Sequence, residues 1–177
     1  MRHMTRYIAS VFTLIVVIVA IPFLAAPNAN AEPREIVTVP LDRAEALGTR
    51  IAADPEIKTD GEASIRVVTQ WPTVINLAEV IGPSVAPATL IYEADIRSQD
   101  LLGNAYLEIW CHFGDQGRYF GRGLDSTVTG TTDWTKLSVD FRLEDGQRPT
   151  LVTLNLVIEG EGVVWVDRPR LLYEPLP

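Results

Sequence analysis

The chain has 177 residues, with 15 Lys and Arg against 23 Asp and Glu for a formal charge of −8, and its 47% hydrophobic share suits one globular domain. Such an acidic balance lacks the basic footprint that a phosphate backbone demands, which argues against a nucleic-acid partner. One cysteine, Cys111, and two histidines exclude an internal disulfide framework and a multi-cysteine zinc site.

Arg2 and Arg6 precede an uncharged apolar run from Tyr7 to Ala26, Pro22 interrupts it, and small residues follow to Ala31. Basic, apolar and small-residue parts in that order read as an export signal over 1–31, cleaved between Ala31 and Glu32. Cleavage removes Arg2 and Arg6, takes the formal charge from −8 to −10 and leaves no membrane span, so the mature domain is expected to be secreted or periplasmic. An uncleaved anchor is the alternative, because the apolar run approaches the length of a bilayer span. In an oxidising compartment a lone exposed thiol is a liability, so Cys111 is expected to be buried.

Residues 32–53 read as an N-terminal strand and a connecting segment. Asp42 and Gly48 there mark the start and stop of one short helical turn within 41–48. From 54 to 177 the chain breaks into β-rich runs separated by Gly, Pro, Asn and Asp: 63–70, 73–80, 88–97, 105–113, 134–143, 151–159 and 162–167. Two or three more strands are expected within 35–52 and 117–124. Leu137, Val139, Phe141 and Leu143 alternate with Lys136, Ser138, Asp140 and Arg142, and Val152, Leu154, Leu156 and Ile158 follow the same period. Each such strand buries one face. Many short strands without crossover helices predict an all-β fold, a two-sheet antiparallel sandwich of jelly-roll type.

The run 105–113 carries the most chemical information. Ala105, Leu107, Ile109, Cys111 and Phe113 fall on one face, a core set, while Tyr106, Glu108, Trp110 and His112 fall on the other. Flat aromatic surface interleaved with hydrogen-bonding groups suits a sugar, whose C–H faces pack on rings while its hydroxyls exchange hydrogen bonds. The run before it presents Glu93, Asp95 and Arg97 opposite Leu90, Tyr92, Ala94 and Ile96, and spacing alone leaves open whether the two polar faces share a sheet. The competing reading makes Tyr106 and Trp110 packing residues under a loop and the charges a solvated face. Trp134 and Trp165 read as structural, and Trp71, just before Pro72, as the cover of a sheet edge.

Catalytic signals are weak. Glu93 with Asp95, or Glu108 with a neighbour, makes a carboxylate pair of the kind that flanks a glycosidic bond. His112 and Cys111 point to opposite faces, and neither a G-x-S-x-G elbow nor a phosphate-cradling loop is present. The glycine-rich stretch 117–124 reads as a curved strand or loop whose Arg118 and Arg122 either reach the ligand face or pair with acids.

Three segments, D-G-E-A-S-I-R-V (60–67), G-T-T-D-W-T-K-L-S-V-D-F (130–141) and G-V-V-W-V-D-R-P-R-L (162–171), resemble strands of galactose-binding-like carbohydrate-binding modules. The likeness spans residues 54–173 and implies a jelly roll that binds carbohydrate without covalent chemistry. In many such modules an aspartate on the closing strand helps to hold a structural calcium, and Asp167 matches it. The family's next Asp and Val are replaced by Arg168 and Pro169, and its N-terminal Asn-Gly-Phe-Glu signature is absent. The expected function is therefore a secreted, non-catalytic binder of a glycan or similar polyhydroxylated surface, with no cofactor beyond that calcium. The alternatives are a structural or protein-interaction sandwich and, behind it, a glycan-active hydrolase or lyase.

Overall fold

Strand after strand alternates apolar and polar residues, and the computed structural model pairs them into one strongly curled antiparallel sheet. It describes residues 32–39, 41, 51–85 and 87–176; the expected export segment and nearly all of the expected turn at 41–48 lie outside the described residues. The strands are β1 (Arg34–Thr38), β2 (Ile51–Asp54), β3 (Ser64–Thr69), β4 (Thr73–Ile81), β5 (Ala88–His112), β6 (Arg118–Leu143), β7 (Leu151–Ile158) and β8 (Glu161–Pro175). A 3-10 turn, Gly114–Gln116, joins β5 to β6.

Two pairs of runs that read as separate strands are each continuous. β5 has 25 residues and β6 has 26, and together they form one long hairpin bent across its middle. The bend falls where the ladder between them slips, from Ile96 to Ala105, and where Asp100 adopts φ 51°. Register slips of this kind bend a strand sharply without ending it.

The bend turns one sheet into two facing layers. Along the same edge of β5, β8 pairs with the stretch 88–99 and β7 with 105–112. The first layer holds β2, β3, β8, the first half of β5 and the second half of β6, with β1 on the other edge of β8. The second holds β4, β7, the second half of β5 and the first half of β6. This is the expected two-layer all-β architecture.

A single core lies between the layers. Leu90, Tyr92 and Ile96 from the first and Leu107, Ile109 and Cys111 from the second are fully buried, together with Leu154 and Leu156 of β7. Each large apolar side chain of this kind stabilises the fold by about 1.5–3 kcal/mol. The two halves of β6 approach each other closely where the strand folds back on itself. A β-carbon at Gly121 would stand 2.9 Å from the Asp140 carbonyl oxygen, and one at Gly123 would stand 2.8 Å from that of Ser138. Only glycine lets these two backbones approach.

Cys111 is buried, as expected, and Trp165 is too. Two expectations are corrected. Phe141 is half-buried, because β6 is the outermost strand of its layer. Trp71 covers no edge: it stands 63% exposed on the β3–β4 turn, where the Thr69 and Thr73 hydroxyls donate to its carbonyl. Tyr92 buries a hydroxyl that has no hydrogen-bond partner among the described residues, and burial pushes that phenol well above its ordinary range.

Candidate functional site

Strand register builds the outer face of the second layer row by row, because residues directly opposite in an antiparallel ladder share a face. Across β4, β7, β5 and β6 the first row is Val74, Val157, Tyr106 and Thr127, and the second is Asn76, Asn155, Glu108 and Arg122. The third is Glu79, Thr153, Trp110 and Phe120, and the fourth is Ile81, Leu151, His112 and Arg118. Polar residues thus occupy one central row and aromatic rings the next.

Glu108 is the hub. It faces away from the core yet is only 4% exposed, because its neighbours close over it. Trp110 Nε1 donates to its Oε1 at 2.6 Å, Asn155 Nδ2 donates to the same oxygen at 3.2 Å, and Arg122 Nε donates to Oε2 at 2.7 Å. Burial by itself raises this carboxyl, but the hydrogen bonds from Arg122, Trp110 and Asn155 outweigh it and hold it below the usual carboxylate range. It is ionised at neutral pH, with its acceptor capacity largely occupied.

Beside the hub, cations and rings alternate. The Arg118 guanidinium carbon lies 4.8 Å from the centroid of Trp110, Trp110 and Phe120 are 4.8 Å apart at a 42° tilt, and Arg122 lies 4.8 Å from Phe120. Trp110 is half-buried, whereas Phe120 is 50% exposed and offers the open ring surface. The stretch 117–124 is therefore strand, and its two arginines divide the roles foreseen for them: Arg122 pairs with Glu108, and Arg118 lies on the face.

Tyr106 presents no ring to a ligand. It is 3% exposed, and its hydroxyl donates to Glu159 at 3.0 Å. Burial, then that bond, raise its phenol. His112 is half-buried, with Nε2 3.4 Å from the Thr153 hydroxyl. It lines an open depression of about 400 Å³ with Gly114, Gly117, Arg118, Thr150 and Leu151.

Glu93, Asp95 and Arg97 do not join this face. They stand on the outer side of the first layer, across the core, because the bend in β5 separates them from residues 105–112. There Glu93 pairs with Arg170 and, at 3.5 Å, with Lys136, while Asp95 accepts from Arg168 Nε at 2.6 Å. Arg97 lies 3.5 Å from Asp133 and 5.9 Å from the Trp165 ring, whose Nε1 donates to Asp54.

Asp167 belongs to that side as well. It stands opposite Asp95 in the ladder, and both carboxylates are buried. Its Oδ2 accepts from Thr59 N at 2.6 Å, Thr59 Oγ1 at 2.8 Å and Asp60 N at 3.1 Å, and its Oδ1 accepts from Arg168 N at 2.8 Å. A calcium ion needs oxygen lone pairs directed at it from six or more ligands. N–H and O–H donors take those lone pairs here, and the Arg168 guanidinium supplies the positive charge. The residues at Asp167 do not fit a calcium cage, and among the described residues no group of three or more His, Cys, Asp and Glu side chains is placed to hold a metal ion.

The sequence reading missed Phe120, Asn155 and Asn76 as members of the face. The period-two spacing of Arg118, Phe120 and Arg122 was its one legible signal; which strands lie beside β5 was not legible.

No family model and no curated protein matches the chain. Its likeness is to solved structures. A family 16 carbohydrate-binding module superposes with a TM-score of 0.51 at 16% identity, over 71% of this chain and 86% of that one. A xylan-binding domain of family 22 gives 0.51 at 9% identity, over 80% and 96%. The Clostridium thermocellum endo-1,4-β-D-xylanase 10B, as a family 22 module joined to a family 10 hydrolase module and complexed with xylohexaose, gives 0.50 at 9% identity, over 72% of this chain and 25% of that chain. At these identities the likeness establishes the fold.

Proposed function

We propose that the chain is a secreted or periplasmic, non-catalytic carbohydrate-binding domain whose ligand lies across the outer face of β4, β7, β5 and β6. The observation that carries this reading is the exposed Phe120 beside Trp110, bordered by the row Asn76, Asn155, Glu108 and Arg122. A pyranose placed there sets its C–H face on Phe120 and turns its hydroxyls toward amide and guanidinium donors. Glu108 holds Trp110, Asn155 and Arg122 in place, so the face is organised before a ligand arrives and little ordering entropy is lost on binding. The fold supports the reading, because modules of the same architecture include xylan-binding domains.

The chemistry of Glu108 supports binding over hydrolysis. A carboxylate held below its usual range has no proton to donate as a general acid. Its neighbours in the ladder are Asn155 and Arg122, so neither adjacent strand brings a second carboxylate opposite it. The binding role is tested by titration calorimetry of the mature domain with xylohexaose and a panel of other oligosaccharides. Phe120→Ala should abolish the heat of binding without lowering the melting temperature by more than a degree or two. Release of reducing sugar by the wild type, lost in Glu108→Gln, would replace the binding role with an enzymatic one. Export is tested separately by mass spectrometry of secreted material, which should begin at or within a residue or two of Glu32.

A further inference from the structure

Arg118 stands apart from the charged residues around it. On the other outer face Arg97, Lys136, Arg168 and Arg170 each meet a carboxylate, and Arg66, which forms no ion pair, lies 5.7 Å from the Trp165 ring within the electrostatic reach of Asp54; on its own face Arg122 meets Glu108. Among the described residues Arg118 has no such partner, although the chain holds 23 acidic residues against 15 basic ones. Its guanidinium lies over the Trp110 ring. Attraction to a ring engages the flat face of a guanidinium and leaves the N–H fork at its edge unspent.

The surroundings make that fork a receptor. His112 is its partner across the ladder, and both line the depression of about 400 Å³ at this end of the face. That lining contains no carboxylate, and Asp115, in the neighbouring 3-10 turn, lies outside it. Two nitrogen-bearing side chains next to an aromatic pair match a ligand that is both sugar and anion. We propose that the site takes an acidic saccharide, with a uronic-acid carboxylate received by Arg118 at the His112 end while the adjoining sugar runs over Trp110 and Phe120. A planar carboxylate fits the guanidinium fork with two parallel N–H···O bonds. This inference rests on the carbohydrate-binding reading and adds the class of sugar.

Calorimetry at low salt with an oligogalacturonate, its methyl ester, a sulfated galactan oligosaccharide and neutral xylohexaose tests it. The free acid should bind at least tenfold tighter than its ester, and high salt should shrink the difference. Arg118→Gln should bring the acid-to-ester ratio to about one, and Arg118→Lys should restore only part of it, since an ammonium lacks the fork. Equal affinity for acid and ester, or a preference that survives Arg118→Gln, overturns the acidic-sugar inference and leaves the carbohydrate reading intact. Tighter binding of the sulfated probe than of the uronate overturns the carboxylate assignment. Failure of every saccharide to bind removes the carbohydrate reading and this inference with it.

Discussion

The two outer faces of the sandwich are supplied by one strand, and β5 gives each a similar set of outward residues. Ile91, Glu93, Asp95 and Arg97 point out of the first layer, and Tyr106, Glu108, Trp110 and His112 point out of the second. On the first face most charges pair with one another: Glu93 with Arg170 and Lys136, Asp95 with Arg168, Arg97 with Asp133, while Arg66 lies over the ring of Trp165. Its tryptophan, Trp165, is buried and hydrogen-bonded to Asp54. On the second face one carboxylate absorbs three donors, so the Arg118 guanidinium and the Phe120 ring remain open. The number of charged residues therefore does not distinguish a binding face from a structural one. What distinguishes it is which hydrogen-bonding capacity and which ring surface the protein leaves unused.

The sharpest way to break this comparison is to remove an aromatic ring from each side. Trp165→Ala should lower the unfolding free energy by about 3–5 kcal/mol in urea denaturation, the cost of losing a large buried aromatic. Phe120→Ala should cost far less stability and show its effect in ligand affinity instead. Equal losses of stability from the two would erase the distinction between the faces.

Next in size is the hub. Glu108→Ala leaves the Trp110 and Asn155 N–H groups and the Arg122 guanidinium without their acceptor, and should destabilise the fold by about 2–3 kcal/mol. Because the folded carboxyl lies below its ordinary value, its stabilising contribution is present above the unfolded value near 4.5 and is lost as pH falls through the folded one. Melting temperature measured from pH 6 down to pH 2 should therefore fall less steeply in Glu108→Gln than in the wild type. An unchanged acid limb would show that folding does not lower the titration of this carboxyl.

Smaller and opposite in sign is Tyr92→Phe, which removes a buried hydroxyl that has no partner among the described residues and should raise stability by about 1 kcal/mol in thermal melts. The smallest effect is expected at Cys111. It is buried, and burial pushes its thiol up to about 12, so a thiol reagent at neutral pH should leave the native domain unlabelled while labelling it in denaturant. Rapid labelling of the folded chain would place Cys111 outside the core.

Side-chain direction in a strand is a local property, and what depended on it was readable from the chain. Period two separated Leu107, Ile109 and Cys111 from Glu108, Trp110 and His112, made the domain all-β and put the lone thiol in the core. Pairing is not local, and there the tertiary structure decided. The bend in β5 placed Glu93, Asp95 and Arg97 across the core from Trp110, although fewer than twenty residues separate them in sequence. The laying of β6 and β7 against β5 brought Phe120, Arg122 and Asn155 beside it, buried Tyr106 and turned Glu108 from an exposed acceptor into a saturated hub. Asp167 shows the same limit. The family resemblance implied a cation ligand, but the backbone N–H groups of Thr59 and Asp60, more than a hundred positions away, donate to its carboxylate while the Arg168 guanidinium donates to the neighbouring Asp95, and only folding brings Thr59 and Asp60 to it.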